Sequence, residues 1–300
     1  MPPTLADKIN ALKKKRNAVI LVHSYQSPEV QEIADLLGDS LDLSMAAAKT
    51  KADCIVFCGV HFMAETAHLL APGKTVLLPD MAAGCPMADM VSVESLRALK
   101  ARHPSAAVVC YVNTTAAVKA ESDICCTSAN AVQIVSGLAA REIIFVPDRN
   151  LGRFVAGKCD KKIILAPGYC HVHMRMLPEH IEAARAAYPG AEVLVHPECS
   201  RSVVDIADKV FSTTGMCAYA RASSGKDFII GTETGIINRL KNDNPGKRFY
   251  PALELAVCHN MKKITLEKVI AALEEMKHAV TVPEPIASKA KKAIEAMLPA

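Results

Sequence analysis

Three stretches can be laid over one another without a gap: VHSYQSPEVQEIADLLGDS (Val22–Ser40), CYVNTTAAVKAESDICCTS (Cys110–Ser128) and VHPECSRSVVDIADKVFST (Val195–Thr213). Each opens at the end of an apolar run and passes through a short helix-like segment to an aspartate: Asp35, Asp123 or Asp208. A hydroxyl follows five residues later, at Ser40, Ser128 and Thr213. The offset is 88 residues from His23 to Tyr111 and 85 from Tyr111 to His196. The same offsets carry CIVFC (54–58) onto EIIFV (142–146) and then DFIIG (227–231). Self-similarity at a fixed period marks a repeated supersecondary unit. The chain is expected to hold three copies of a βα unit.

Other apolar runs agree. AVILVH (18–23), TVLLPD (75–80), AVVCYV (107–112), KIILAP (162–167) and EVLVHP (192–197) are short, unalternating and separated by helix-like stretches. Strands of a parallel sheet covered on both faces read that way. The fold class is therefore α/β: three homologous α/β/α domains with small parallel sheets, arranged with pseudo-threefold symmetry around a central site. Residues 17–100, 101–187 and 188–282 are assigned to the three units. The flanks, 1–16 and 283–300, carry apolar residues at helical spacing (Leu5, Ile9, Leu12; Ile286, Ala290, Ile294). They are expected to be helices packing on the body, at the third unit.

With 300 residues, 51% hydrophobic and 22% charged, the composition is that of an ordinary globular protein. A net charge of +4, scattered lysines, 4% aromatics and no tryptophan argue against a nucleic-acid partner, which needs a concentrated basic face. KKKR (13–16) is followed by only five apolar residues before His23, too few for a secretory core. No apolar run approaches a bilayer span, so no membrane partner is expected and the cytoplasm is the expected location. Eleven cysteines there are read as free thiols rather than disulfides.

The repeat sorts them. Cys85, Cys170 and Cys258 each follow the last strand-like segment of their own unit, at spacings of 85 and 88. Cys54, Cys58, Cys110, Cys125 and Cys126 lie inside apolar runs and read as core. Cys159 and Cys217 have no counterpart, and Cys199 reads as structural. Open parallel sheets place ligands beyond the carboxyl ends of their strands. Three such ends around one axis would bring together His23, Tyr111 and His196, the three hydroxyls and the three cysteines.

Three thiolates from separate loops can hold zinc, although structural zinc favours four ligands and close cysteine pairs. They can equally hold a four-iron, four-sulfur cluster that leaves one iron open as a Lewis acid. Spacing leans towards iron–sulfur and leaves zinc open. His171 and His173 could join Cys170 in a zinc hydrolase, but they read first as local polar structure. A non-catalytic phosphate-binding module using helix N-termini is the other alternative.

HSYQ (23–26) with GDS (38–40), YVNT (111–114) with CCTS (125–128), and HPE (196–198) with STTGM (212–216) form an ordered set. Together with single cysteines in AGCPMADM (83–90), GYCHVH (168–173) and CHNMKK (258–263), that set resembles the quinolinate synthase family from about Asn17 to Lys263. The resemblance implies three α/β domains around an oxygen-sensitive [4Fe-4S] cluster. It further implies condensation of iminoaspartate with dihydroxyacetone phosphate to quinolinate, phosphate and water, in NAD biosynthesis. Handover from an iminoaspartate-producing enzyme would fit. Cys85, Cys170 and Cys258 would ligate the cluster. His23, Ser40, Tyr111, Asn113, Ser128, His196, Glu198 and Thr213 would line the substrate cavity, with Tyr25 nearby. Ser24 stands where the family often has asparagine, CPMADM departs from a more usual Cys-Ser-Leu start, and the last ligand stands alone rather than in a cysteine triplet.

Within that scheme Glu198 is the candidate base, Tyr25 and Tyr111 relay protons or orient substrate, and His23 and His196 anchor carboxylates. Ser40, Ser128 and Thr213 precede helix-like stretches. Each is therefore expected to cap a helix, to bind an anion at the helix N-terminus, or to do both.

Overall fold

The computed structural model describes residues 3–298; Met1, Pro2, Pro299 and Ala300 of the two flanks lie outside the described residues. The first sheet holds β1 (Ala18–His23), β2 (Leu36–Gly38), β3 (Cys54–Cys58) and β4 (Thr75–Leu77). β5 (Ala107–Tyr111), β6 (Ile124–Cys126), β7 (Glu142–Val146) and β8 (Lys162–Leu165) form the second. The third holds β9 (Glu192–Val195), β10 (Lys209–Val210), β11 (Asp227–Gly231) and β12 (Arg248–Pro251). Each sheet is four-stranded with its second strand on one edge, then its first, third and fourth. All pairings within the sheets are parallel. The fold is thus α/β, in three homologous units each with one small parallel sheet, as the repeat required.

The three aspartates that mark the repeat have a structural task. Asp35, Asp123 and Asp208 each accept, through Oδ2, the N–H of a residue in the first strand: Ile20 at 2.8 Å, Val108 at 2.7 Å and Val193 at 2.7 Å. Each returns its own N–H to the carbonyl of that same residue. The second strands are only two or three residues long. The carboxylate supplies an acceptor just where the edge strand has yet to begin, and a first-strand N–H that would otherwise be orphaned is satisfied.

A helix precedes every first strand, and the period continues one step further. Helices Leu5–Lys15, Val93–Arg102, Pro178–Ala187 and Leu266–Glu275 start at offsets of 88, 85 and 88. Thr4, Ser92 and Thr265 cap three of them, each accepting the N–H three residues on. The fourth copy returns to the first: it packs on Leu5–Lys15 and on β3. Lys8 Nζ stands 2.8 Å from Glu274, and Arg16 Nε donates to Leu273 O at 3.0 Å. The C-terminal helix Ile286–Glu295 lies on helix His61–Leu70, on Ala116–Lys119 and on β6. Both flanking helices are therefore present; the amino-terminal one packs on Leu266–Glu275, within residues 188–282, and on β1, whereas for the carboxyl-terminal one the expectation of packing on the third unit is corrected to the first and second. An amphipathic stripe reveals that a helix has a face to bury, not which neighbour offers the matching surface.

One apolar cluster runs through the first two sheets and takes in Val269, Ile270, Leu273, Ala290 and Ile294 from the two last helices. The third sheet has separate clusters on its two faces, one around Val193 and Ile229, the other around Leu194 and Phe228. It meets the first unit through polar contacts. Thr214 Oγ1 donates to Asp42 at 2.6 Å, Gln31 Nε2 to Gly235 O at 2.9 Å, and Arg239 to Ser24 Oγ at 2.9 Å. No helix among the described residues is long and apolar enough to cross a membrane.

Candidate active site

The carboxyl ends of all three sheets open on one shared cavity. The repeat builds its wall in rings. His23 ends β1, Tyr111 ends β5 and His196 follows β9. Two residues further on stand Tyr25, Asn113 and Glu198. After the second strands come Ser40, Ser128 and Thr213. Beyond the fourth strands come Cys85, Cys170 and Cys258. All twelve side chains line the cavity.

The two histidines are set alike. His23 Nδ1 accepts the N–H of Tyr25 at 3.1 Å, and His196 Nδ1 accepts that of Glu198 at 3.3 Å. This leaves Nε2 as the protonated nitrogen in each neutral ring. Burial, with Lys262 and Arg239 adding to it, holds His23 down to about 3. Burial also holds His196 down to about 3 against the pull of Glu198. At neutral pH both rings are uncharged N–H donors. His196 Nε2 meets Ser128 Oγ at 3.2 Å.

A chain of hydrogen bonds and close polar contacts crosses the cavity wall. Thr213 Oγ1 donates to Tyr25 Oη at 3.0 Å, and Tyr25 Oη lies 2.7 Å from Thr232 Oγ1. Thr232 Oγ1 lies 2.7 Å from His173 Nε2. His173 Nδ1 stands 2.8 Å from Glu198 Oε2. Tyr111 Oη donates to Glu198 Oε1 at 2.6 Å. Burial pushes both tyrosines well above their ordinary range, so they keep their protons. Burial would raise Glu198 too, but His173 and the Tyr111 hydroxyl hold it low and keep the group a carboxylate.

The capping reading of the hydroxyls does not describe what is seen. Helix Ser40–Lys49 is capped by Asp39, whose Oδ1 accepts Leu41 N at 2.9 Å and Asp42 N at 3.1 Å. Helix Thr213–Ala222 is capped by Ser212, which accepts Gly215 N at 3.1 Å. Ser40 and Thr213 are the first helical residues, and Ser128 lies in the loop before helix Ala131–Gly137. Neighbours cap the helices at Ser40 and Thr213, Ser128 lies two residues before the N-cap position Asn130, and all three hydroxyls line the cavity. The buried Asn113 Oδ1 has no partner, an acceptor waiting for a donor on a ligand.

Cys85, Cys170 and Cys258 are free thiols on three separate loops. Burial pushes Cys85 up to about 12 and raises Cys170 and Cys258 as well. Buried thiols of this kind stay protonated alone and become good ligands once a cation supplies compensating charge. The set therefore fits a group held by three thiolates. Cys170, His173 and Glu198 also offer ligand atoms within 4.8 Å of one another. His171 is not in that group, so the trio of Cys170, His171 and His173 is not assembled. Of the remaining cysteines, Cys199 packs in the core of the third unit, its Sγ 3.5 Å from Gly231 O.

Three residues at this site escaped the sequence. His173 was expected to serve local polar structure but is 2% exposed and joins Thr232 to Glu198. Thr232 belongs to a strand-like run and carries no signal of its own. Glu233 lines the cavity and pairs with Lys262 at 2.9 Å. Its position was legible, since it lies one period of 85 residues after Asp148.

Three α/β units whose strand ends, buried imidazoles and three thiols line one cavity define an enzyme of small molecules, with Cys170, His173 and Glu198 grouped so that they could hold a metal ion. Residues 7–299 match the family described as quinolinate synthetase A protein. A protein of Methanoregula boonei named quinolinate synthase is 57% identical over 98% of this chain and 97% of its own. One from Geobacter sp. strain M21 with the same name is also 57% identical over the same shares, and quinolinate synthase 2 of Methanosarcina acetivorans is 55% identical over 98% and 95%. The chain belongs to the quinolinate synthetase A family, and quinolinate synthesis is its activity.

Proposed function

We propose that the enzyme condenses iminoaspartate with dihydroxyacetone phosphate to quinolinate, phosphate and water in the cytoplasm, using a [4Fe-4S] cluster on Cys85, Cys170 and Cys258. The observation that carries this reading is the arrival of three repeat-equivalent thiols at the cavity that also holds the hydroxyls and imidazoles. When bound, the cluster would supply an open iron that acts as a Lewis acid on a substrate oxygen.

The chain's own residues supply binding and proton traffic. Nε2–H groups of neutral His23 and His196 donate to carboxylate oxygens without adding charge. Ser40 and Thr213 present their hydroxyls to the substrate from the first residue of ten-residue helices, while Asp39 and Ser212 take the N–H groups of Leu41, Asp42 and Gly215. Glu198 accepts a proton from carbon or nitrogen of the condensing substrates, and Tyr111 and Tyr25, both protonated, return protons to departing oxygens. His173 and Thr232 connect Glu198 to Tyr25, so a proton taken at one wall can be delivered at the other. Because an imine hydrolyses in water, direct handover from the iminoaspartate-producing enzyme suits this site.

Anaerobic purification with assays for iron and acid-labile sulfide tests the cluster. Cys85→Ser, Cys170→Ser and Cys258→Ser are each expected to lose iron, sulfide and turnover, while Cys125→Ser, in β6, keeps all three. A fully loaded, active Cys170→Ser protein would sink the assignment. Stoichiometric zinc without sulfide would favour the second reading, a zinc site on Cys170, His173 and Glu198.

A further inference from the structure

Each cysteine loop is tied down by the same backbone bond. The N–H of His61, Arg149 and Thr234 donates to the carbonyl two residues before the cysteine: Ala83 at 2.8 Å, Gly168 at 2.8 Å and Ala256 at 3.0 Å. A second tie exists in only two units. Asp148, fully buried after β7, accepts Asn150 N at 2.8 Å and Leu151 N at 2.7 Å with Oδ1, and Cys170 N at 3.2 Å with Oδ2. Glu233, fully buried after β11, accepts Gly235 N at 2.7 Å with Oε2, and Cys258 N at 3.0 Å with Oε1. The equivalent residue of the first unit is Val60, which has no acceptor to offer Cys85.

We propose that Asp148 and Glu233 are positioning residues for the thiols of Cys170 and Cys258, fixing two ligands of the metal group while Cys85 is held by its backbone alone. The proposal rests on the three-thiolate reading above. Starting a helix does not require a carboxylate here, since a serine or threonine does so at Ser92, Ser212 and Thr265. Burying a carboxylate is costly unless every lone pair is used. In both units one oxygen serves the following turn or helix and the other serves the cysteine, the Glu233 oxygen on Cys258 also meeting Lys262 Nζ at 2.9 Å. Drawing the cysteine N–H onto a fixed acceptor sets the backbone of the ligand residue, and with it the direction in which Sγ enters the cavity. Supports of this kind behind a metal ligand are commonly worth roughly 10- to 100-fold in metal affinity.

Asp148→Ser isolates the claim, because serine keeps the helix cap and is too short to reach Cys170. Glu233→Gln removes one of the two acceptors. Thr265→Ala, which deletes a cap far from the thiols, is the control. The metal-free full-length chain is titrated with cadmium(II), read by thiolate-to-metal absorbance, and the anaerobically loaded protein is challenged with a ferrous chelator. Asp148→Ser and Glu233→Gln are expected to bind cadmium roughly 10- to 100-fold more weakly and to release iron faster, with the melting temperature of metal-free Asp148→Ser unchanged. Thr265→Ala should show the reverse, a lower melting temperature with unaltered metal affinity. Wild-type cadmium affinity in both carboxylate variants overturns the proposal. A wild-type protein that binds cadmium but takes up no iron or sulfide overturns the cluster instead, and the cadmium comparison still decides the role of the carboxylates.

Discussion

Glu198 is buried at the meeting point of the second and third units, between the Tyr111 hydroxyl and the His173 ring. Its value lies in being a carboxylate where burial alone would protonate it. Glu198→Gln keeps the shape and can still accept from Tyr111, yet it cannot take a proton. It is expected to retain iron and substrate binding while turnover falls ~10²–10⁴-fold, the usual cost of losing a general base. Single-turnover rates near wild type would remove Glu198 from that role. The position of Glu198 was legible, since a polar residue two places beyond a strand end in HPE faces the ligand end of a parallel sheet. His173 was not, because its partners sit 59 residues ahead at Thr232 and 25 ahead at Glu198. Nothing local distinguishes such a histidine from one serving its own loop.

At the scale of elements, the offsets brought out helices and strands in threes, but a single residue of helix register separated two chemical roles. Ser40 and Thr213 looked like caps, and the caps are Asp39 and Ser212. Ser40→Ala, Ser128→Ala and Thr213→Ala are thus expected to weaken binding of a triose phosphate or dicarboxylate analogue about ten- to hundredfold, the value of roughly 1.5–3 kcal/mol for a hydrogen bond to a charged group. Their stability should move less than that of Ser95→Ala, which breaks the reciprocal pair of Ser92 and Ser95 at a helix start away from the cavity. Calorimetric binding and melting measured on the four variants under argon check this. Unchanged affinity in all three cavity variants would return the hydroxyls to a purely structural role. β12 escaped the apolar runs because RFYP (248–251) sets Phe249 and Tyr250 between an arginine and a proline, whereas β4 and β8, edge strands as well, are apolar enough to be read.

For the whole molecule, the threefold pattern was legible because three similar strands and three similar loops need similar sequences. The unequal division of the core was not, since it depends on which helices come back to which sheet. The first two sheets share one apolar cluster, and the third, with clusters of its own, meets the first across hydrogen bonds. Polar interfaces open at lower free energy than continuous cores. In metal-free protein, hydrogen exchange at the amides of β9 and β11 is expected to be faster than at β1, β3, β5 and β7, and to slow when the three thiols are joined by metal. Equal protection in all three sheets would contradict the division. The fourth copy of the repeating helix has a consequence for synthesis. Leu266–Glu275 and Ile286–Glu295 complete the cluster that begins at Ile9, so the first unit made by the ribosome is the last to close. Domains ordinarily fold in the order in which they emerge, but here the nascent first unit must wait, with apolar surface uncovered, for Leu266–Glu275 and Ile286–Glu295. Apolar surface left uncovered until those helices dock is expected to engage chaperones during translation.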